Sequence, residues 1–567
     1  MSKKKIPMKL KNLAKSKKSA KSQKSVKTKT KSVKNLSSDL SSEVVDRKSQ
    51  DLSHFQENVM ALYKSGHADR DLQADETMAR SILPPSTAQA RSFASLIFEY
   101  PVYDSSKCIA CMECVVECPD AAIYARVTPE KEKNESLAKI ENPEDRAAIE
   151  KRFYKTQKFW EVLEKRGKTP GEFSIWIDPD KCKGCGECAA VCGEHNALVV
   201  KRKEEVNIDL ERKSINFMRQ KLPATPPSFI NEKLFVDMFL LDDHWIYKGG
   251  AGACKGCGEV TSLKMALTAT SAKYGSDMAI VAATGCNSVF SSTYPYNIFS
   301  VPWTNSLFEN APAMAMGVRL RMNQTGKKDT KIWVVGGDGA MGDIGFQSLS
   351  RMLMSGEDIK VLVMDTQVYS NTGGQASGST FQGQNAKMSA CGISANGKSE
   401  RRKELGLILM SHPDVYVAQV SPSHYNHFLR SVLSALEYPG PAVIIAYSPC
   451  MPEHGIADNA SFHQSHAAVT SRAFPIFSYD PRAGKTIKEK LDLRGNPSLN
   501  DVWFKDPKTG ETKDFTWFAR QEERFAKLFK KDGTPTEPLI KAQEDRFKNW
   551  NTLRELAGLN INPPVQE

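Results

Sequence analysis

Cysteines occur twice in the sequence at the same intervals. Residues 108–119 read CIACMECVVECP, and residues 182–192 repeat the spacing as CKGCGECAAVC. The run C-x2-C-x2-C-x3-C is typical of chains that bind two [4Fe–4S] clusters, where the fourth thiolate of each run binds the other cluster. We therefore predict two clusters. One has the ligands Cys108, Cys111, Cys114 and Cys192, and the other has Cys182, Cys185, Cys188 and Cys118.

Zinc is the alternative metal, because it also binds paired C-x2-C groups. A zinc site needs four ligands, so the third cysteine of each run would have no role, and we favour iron–sulfur clusters. We expect the fourth cysteine of each run to begin a helix. Gly193 follows Cys192, whereas a proline follows Cys118. This difference changes the expected local turn and removes no ligand.

Four further cysteines form a third candidate set. Cys254 and Cys257 lie in the glycine-rich stretch GACKGCGE, while Cys286 and Cys450 follow the apolar runs DMAIVAAT and PAVIIAYS. Taken singly, each of these last two could be a buried, inert thiol. Both follow predicted strands, however, and ligands bind at the carboxyl ends of strands in an open α/β sheet. Cys391 is left over, and we interpret it as a structural thiol.

Residues 278–450 alternate apolar strands with amphipathic stretches, which predicts a doubly wound parallel sheet. GGDGAMGD follows the second strand and DTQVYSNTGGQ follows the third. Glycines at such a position let the backbone approach a phosphate. The carboxylate of Asp338, Thr366 and the carbonyl of Val368 are predicted Mg²⁺ ligands, because Mg²⁺ prefers oxygen and often bridges protein to a diphosphate.

Composition describes a globular chain with one unusual end. The formal charge is +12 over 567 residues, but residues 1–34 contain fourteen Lys and no acidic residue, which leaves 64 basic and 66 acidic residues beyond them. Such a tract is expected to be disordered. A basic arm for nucleic acid, an anionic membrane or an acidic partner is the alternative. No apolar run is long enough to span a membrane and no export signal is visible, so we expect a cytoplasmic protein.

In this order, the two cysteine runs and the motifs GACKGCGE, ATGC, GGDG, MDTQVYSNTGGQ and YSPCMPEHG resemble the carboxyl-terminal part of pyruvate:ferredoxin (flavodoxin) oxidoreductases, from residue 84 to about 480. The resemblance implies thiamine diphosphate, Mg²⁺ and three [4Fe–4S] clusters, the third held by Cys254, Cys257, Cys286 and Cys450. It implies catalytic roles for Glu259 and Asn371. The implied cofactor contacts are Glu259, Cys286, Gly337, Asp338, Gly339, Ala340, Thr366, Gln367, Val368, Tyr369, Ser370 and Asn371.

The implied activity is oxidative decarboxylation of a 2-oxo acid, most readily pyruvate, with coenzyme A as acyl acceptor, or the reverse carboxylation. Electrons would pass singly through the three clusters to a ferredoxin or flavodoxin. The implied partners are subunits that carry the pyrimidine-binding and coenzyme-A-binding domains, in a hetero-oligomer with two-fold symmetry. The alternatives are the same chemistry on 2-oxoglutarate, a branched-chain oxo acid or indolepyruvate, and a non-catalytic electron-transfer subunit.

The predicted organisation follows these motifs. It comprises a disordered tail (1–50), a linker (51–95), an α+β bacterial-type ferredoxin domain (96–205), a second linker (206–243), an α/β thiamine-diphosphate-binding domain (244–480) and a carboxyl-terminal helical arm (481–567).

Overall fold

Two small antiparallel sheets carry the first part of the structure, a computed structural model that describes residues 52–74, 79, 82–389 and 397–559. In one sheet β1 pairs with β5, and the other has the order β2-β4-β3. The predicted tail and Cys391 lie outside the described residues. The strands are β1 (Glu99–Tyr103), β2 (Ile123–Thr128), β3 (Phe153–Tyr154), β4 (Glu172–Ile177) and β5 (Leu198–Arg202).

Each cysteine run continues into a short helix that carries its third cysteine. The helices are Glu113–Glu117 and Glu187–Cys192. The expectation that the fourth cysteine begins a helix is therefore wrong, because Cys118 caps the end of the first helix and Cys192 is the last residue of the second. The other helices of this part are Leu52–Phe55, Ala61–Ser65, Ala68–Asp71, Glu130–Leu137, Pro143–Glu150, Val162–Lys165 and Ile208–Gln220.

An eight-stranded sheet forms the second part, with the order β13-β12-β10-β11-β9-β8-β6-β7. The six strands from β10 to β7 are parallel, and β12 and β13 extend that sheet in antiparallel fashion. Its strands are β6 (Met278–Ala283), β7 (Trp303–Ser306), β8 (Lys331–Gly337), β9 (Lys360–Asp365), β10 (Tyr416–Val420), β11 (Ala442–Tyr447), β12 (Phe477–Tyr479) and β13 (Leu491–Asp492).

Apolar side chains are buried on both faces of this sheet. Along β9, Leu362 and Met364 belong to one hydrophobic cluster, whereas Val361 and Val363 belong to another. Successive side chains of a strand point to opposite faces, so both faces are covered. The helices of this part are Gly258–Tyr274, Cys286–Ser292, Ala311–Gln324, Phe346–Leu353, Leu405–Leu409, Tyr425–Glu437, Met451–His454 and Ser461–Thr470.

The arm beyond residue 480 packs against the large sheet domain and contributes Phe515, Phe518, Phe525 and Trp550 to its second hydrophobic cluster. Its regular elements are the helices Ile487–Lys490, Phe515–Ala519 and Glu537–Leu556, with a hairpin of β14 (Phe504–Lys505) and β15 (Thr512–Lys513). None of the helices in the described ranges has the length and apolar character needed to cross a bilayer.

Candidate active site

Four loops meet at the carboxyl edge of the large sheet. They follow β6, β8, β9 and β11, which are consecutive neighbours in the sheet. Cys286, Asp338, Thr366 and Cys450 lie on these loops, each within three positions of a strand end. Because the carboxyl ends of parallel strands lie at one edge, residues far apart in sequence become neighbours here.

The three predicted Mg²⁺ ligands lie together. The Thr366 hydroxyl is 3.2 Å from Asp338 Oδ1 and 3.0 Å from the carbonyl oxygen of Val368. The second carboxylate oxygen of Asp338 accepts a hydrogen bond of 2.6 Å from the Ser377 hydroxyl. One carboxylate, one hydroxyl and one carbonyl oxygen form a hard oxygen donor set of the kind that Mg²⁺ binds.

A cleft beside these oxygens has a floor of glycines, and we call it the glycine cleft. A Cβ added to Gly339 would lie 2.3 Å from the Tyr369 ring, so a larger residue there would displace the ring. The absence of a side chain leaves the backbone accessible to a bound group. Its lining is Glu259, Thr284, Gly285, Cys286, Phe308, Gly337, Asp338, Gly339, Ala340, Thr366, Val368, Tyr369, Ser370, Asn371 and Thr372.

Two buried carboxyl groups in this cleft, those of Glu259 and Asp338, have raised pKa values. Burial, followed by the charge of Asp338, raises the pKa of Glu259 to about 8. Burial, followed by the charge of Asp365, raises the pKa of Asp338 above its ordinary value. Glu259 Oε2 is buried and has no hydrogen-bond partner within the described part of the chain. A cation and a polar ligand in the cleft would supply both the missing charge and the missing partner.

The third set of cysteines lines a cavity of about 260 Å³ that adjoins the glycine cleft. All four of Cys254, Cys257, Cys286 and Cys450 line this four-cysteine cavity. Burial raises the pKa of the Cys450 thiol to about 12. The cavity and the cleft share the residues Glu259, Cys286, Thr366, Ser370 and Asn371.

The first cysteine run gathers three of its own cysteines with one from the second run. Cys108, Cys111, Cys114 and Cys192, the four residues that the crossed assignment groups together, line one pocket. Burial, followed by the charges of Cys111, Cys108 and Cys192, raises the pKa of Cys114. Ile109 beside them is 51% exposed, so this set lies near the surface.

The remaining set, Cys182, Cys185, Cys188 and Cys118, neighbours residues of both other sets. After burial, the charges of Cys185, Cys182, Cys118 and Cys114 raise the pKa of Cys188, which places it among its own set and beside the first. Lys183 donates a 2.7 Å hydrogen bond to the carbonyl oxygen of Ala253, the residue before Cys254. Tyr247 donates one of 3.0 Å to the carbonyl oxygen of Pro119, next to Cys118.

The arrangement of the cysteine thiols suits iron–sulfur clusters better than single metal ions. In the ranges that the structure describes, no three Cys, His, Asp or Glu side chains converge on a single metal ion. The first and third sets instead surround a cavity. Four thiolates around a shared space are what a [4Fe–4S] cluster requires.

One predicted contact residue does not reach the cleft. Gln367 is fully buried, has a left-handed backbone and is absent from the lining of both cavities. Sequence reasoning missed Thr284, Phe308 and Ser377. Thr284 lies within the ATGC motif and could have been found there, whereas Phe308 and Ser377 carry no local signal.

Comparison with known proteins agrees with this geometry. The profile described as the thiamine pyrophosphate enzyme C-terminal TPP binding domain matches residues 283–446, and that of the 4Fe-4S dicluster domain matches residues 107–196. The "Pyruvate:ferredoxin oxidoreductase" of Moorella thermoacetica is 30% identical over 543 residues, covering 81% of this chain and 42% of the relative.

The chain is homologous to part of the pyruvate:ferredoxin (flavodoxin) oxidoreductases. The "Probable pyruvate-flavodoxin oxidoreductase" of Escherichia coli K12 is 29% identical over 540 residues, covering 81% of this chain and 42% of the relative. The "Pyruvate-flavodoxin oxidoreductase" of Rhodospirillum rubrum is 27% identical over 590 residues, covering 89% and 45%. The chain thus spans less than half the length of these relatives.

Proposed function

We propose that this chain is the thiamine-diphosphate and iron–sulfur part of a 2-oxo acid:ferredoxin or flavodoxin oxidoreductase, with pyruvate and coenzyme A as substrates. One observation carries the proposal: the glycine cleft and the four-cysteine cavity share a wall of five residues. A diphosphate site and a cluster site in direct contact suit a reaction whose electrons leave one at a time. The same enzyme would also catalyse the reverse reaction, the carboxylation of an acyl-coenzyme A, and we propose that the protein is cytoplasmic.

The residues divide into three roles. Asp338, Thr366 and Val368 would hold Mg²⁺, while the backbone of Gly337, Gly339 and Ala340 would approach the diphosphate. Thiamine diphosphate, when bound, supplies the carbon nucleophile that attacks the keto carbon of a 2-oxo acid. Glu259, whose raised pKa keeps a proton available near neutrality, and the Asn371 amide are the groups of this chain that would hydrogen-bond cofactor or substrate.

The three cysteine sets would form a path for electrons. The set that begins with Cys254 adjoins the glycine cleft. The set that begins with Cys182 contacts the Cys254 set through the hydrogen bond from Lys183 to Ala253, and the set that begins with Cys108 lies near the surface. A ferredoxin or flavodoxin would accept electrons at this last set. We further propose that the first part is a bacterial-type ferredoxin domain and that the large sheet is doubly wound. The two antiparallel sheets and the burial of both faces of the large sheet support these assignments.

Partner subunits would complete the cofactor site. Leu307, next to the cleft residue Phe308, is 66% exposed, and Val289, which lines the four-cysteine cavity, is 46% exposed. Exposed apolar residues beside a binding site favour a protein interface. We assign this edge to the partner subunit that carries the pyrimidine-binding domain. Partner subunits would also supply a coenzyme-A-binding domain, and the whole would be a hetero-oligomer with two-fold symmetry.

Anaerobic purification with native partners tests the proposal. We expect about twelve iron atoms per chain from three clusters, bound thiamine diphosphate, and coenzyme-A-dependent reduction of a ferredoxin by pyruvate. Cys450→Ala should lower the iron content to about eight and abolish turnover, whereas Cys391→Ala, outside the three sets, should change neither. Faster turnover with 2-oxoglutarate, a branched-chain oxo acid or indolepyruvate would reassign the substrate. A protein that holds iron but no thiamine diphosphate would be an electron-transfer subunit instead.

A further inference from the structure

His454 is completely buried and is hydrogen-bonded through both ring nitrogens. Nε2 lies 2.8 Å from the carbonyl oxygen of Thr366, and Nδ1 lies 3.4 Å from the backbone nitrogen of Cys450. A carbonyl oxygen only accepts and an amide N–H only donates, so Nε2 carries the proton and Nδ1 offers its lone pair. With a proton on Nε2 and a lone pair on Nδ1, the ring is neutral.

The two partners of His454 belong to different parts of the candidate site. Thr366 opens the loop that follows β9 and lines the glycine cleft, while Cys450 follows β11 and lines the four-cysteine cavity. The bases of these two loops are joined by a 3.0 Å backbone hydrogen bond from Ser448 N–H to the carbonyl oxygen of Asp365. Beyond that point the ring adds a side-chain link between the loop of the proposed cofactor and a loop of the proposed cluster. The helix Met451–His454 that carries the ring is a single turn, closed by a 2.8 Å hydrogen bond from His454 N–H to the carbonyl oxygen of Cys450.

The carboxyl-terminal arm packs behind the ring. Glu522 and Arg524 are fully buried side chains, and Arg524 Nε donates a 2.6 Å hydrogen bond to Glu522 Oε2. Glu522 Oε1 lies 3.9 Å from His454 Nδ1 and accepts a 3.4 Å hydrogen bond from the Tyr447 hydroxyl. This ion pair closes the space around the ring, so the arm limits the positions that the imidazole can adopt.

We propose that His454 is a positioning residue that links the Thr366 loop to the Cys450 loop and is itself held by the Glu522–Arg524 pair of the arm. The inference rests on the proposed function, because it assigns the two loops to thiamine diphosphate and to a cluster. The ring lines neither the glycine cleft nor the four-cysteine cavity, and it acts through the two backbone atoms that it binds. Its Nε2–H contact governs the cofactor loop, and its Nδ1 contact governs the cluster loop.

Two substitutions separate these contacts. A glutamine amide nitrogen reaches about as far from the backbone as histidine Nε2, whereas an asparagine amide oxygen lies near the place of Nδ1. His454→Gln should therefore keep the bond to Thr366 and lose the bond to Cys450, and His454→Asn should do the reverse. The full chain, purified anaerobically with its iron, is titrated with thiamine diphosphate and Mg²⁺, and its reduced clusters are examined by electron paramagnetic resonance.

We expect His454→Asn to bind thiamine diphosphate roughly tenfold more weakly, the effect of about one hydrogen bond, while its cluster signals stay those of the wild type. His454→Gln should bind within about threefold of the wild type and shift the g values of one cluster only. His427→Gln replaces a half-buried histidine whose two ring nitrogens are buried and which lines neither cavity, so it should change neither readout.

Three results would overturn the inference: wild-type affinity in His454→Asn, equal losses in both variants, or failure of both to fold. The last two are the behaviour of a residue with a purely structural role. A wild-type chain that binds no thiamine diphosphate would instead remove the proposed function itself, so the two failures are distinguishable.

Discussion

The hydroxyl of Thr366 lies 3.2 Å from a carboxylate oxygen of Asp338, although the two residues are 28 positions apart in the sequence. They follow the neighbouring parallel strands β8 and β9, whose register aligns Gly337 with Met364. The strand pairing thus places a carboxylate and a hydroxyl at one point of the sheet edge before any cofactor binds. A site built in this way is held by the sheet and not by loop closure.

Replacing Asp338 with Asn should weaken Mg²⁺-dependent binding of thiamine diphosphate at least about tenfold, because Mg²⁺ loses its only carboxylate among the three predicted ligands. The folded state should lose little stability, because burial already disfavours the charged carboxylate. The Asn amide oxygen can accept from Thr366 N–H while its NH2 donates to the Ser377 hydroxyl. Isothermal titration and thermal unfolding measure the two effects.

Asp329→Asn is the matched control for this change. Asp329 is exposed and precedes β8 at its opposite end, so cofactor affinity should stay unchanged. Equal affinity in Asp338→Asn and the wild type would refute the assignment of the oxygen cluster.

Much of this site follows from local sequence. The strands that precede Cys286, Asp338, Thr366 and Cys450 are apolar runs that end at glycine or polar residues, so their type and order were predictable, and parallel pairing then brings the four loops together. The crossed cysteine sets follow from spacing alone. The short strands β7, β12 and β13 at the edges of the large sheet were not predicted, so GGDGAMGD follows the third strand of this domain and not the second. The small strand β3 was also missed, because it lies within a charged stretch that has a helical pattern.

Contacts that join distant segments could not be predicted. Ser377 binds Asp338 across 39 positions and His454 binds Thr366 across 88 positions, and neither pair has a spacing or a motif that marks it. Glu522 and Arg524 are charged residues of the kind that usually lie at a surface. Both are nevertheless fully buried next to His454, where they form an ion pair with each other. Tertiary packing determines such pairs, and residue types alone do not reveal them.

The crossed assignment of cysteines predicts how iron is lost in double variants. Cys111 and Cys192 line one pocket, so Cys111→Ala together with Cys192→Ala should remove one cluster and leave about eight of twelve iron atoms. Cys111→Ala together with Cys118→Ala combines one ligand from each set and should leave about four. Iron analysis of the anaerobic proteins measures both. The opposite pattern, four and then eight, would mean that each run holds its own cluster.

Arg402 and Arg401 are adjacent arginines that should differ sharply in their effect on stability. Arg402 Nη2 lies 2.5 Å from Asp365 Oδ2, and both side chains are buried. Asp365 is the last residue of β9 and precedes Thr366. Arg402→Met leaves the Asp365 carboxylate unpaired and should lower the free energy of unfolding by about 3–5 kcal/mol.

Arg401 is 69% exposed and pairs with Asp545 at 3.1 Å, so Arg401→Met should lower the free energy of unfolding by less than about 1 kcal/mol. Denaturant unfolding followed by circular dichroism compares the two variants. Similar decreases in the free energy of unfolding for Arg401→Met and Arg402→Met would contradict the stabilising effect inferred for the buried Arg402–Asp365 pair.

Buried histidines should make the protein less stable in acid. Burial lowers the pKa of His427 to about 4, with Asp492 opposing and Arg430 reinforcing the shift. The unfolded chain binds this proton near pH 6.5 and the folded chain only near pH 4, so between these values the unfolded state holds more protons. The free energy of unfolding therefore decreases as the pH falls from about 6.5 to 4, by on the order of 3 kcal/mol for this group.

His427→Gln should flatten that dependence relative to the wild type, because the group that takes up the proton is gone. His67→Gln, which replaces an exposed histidine, should reproduce the wild-type curve. Melting temperatures measured from pH 7.5 to pH 5 under anaerobic conditions test both, and the difference between variants cancels any acid loss of iron common to all of them. Parallel curves for His427→Gln and the wild type would show that the ring at this position gains no proton on unfolding.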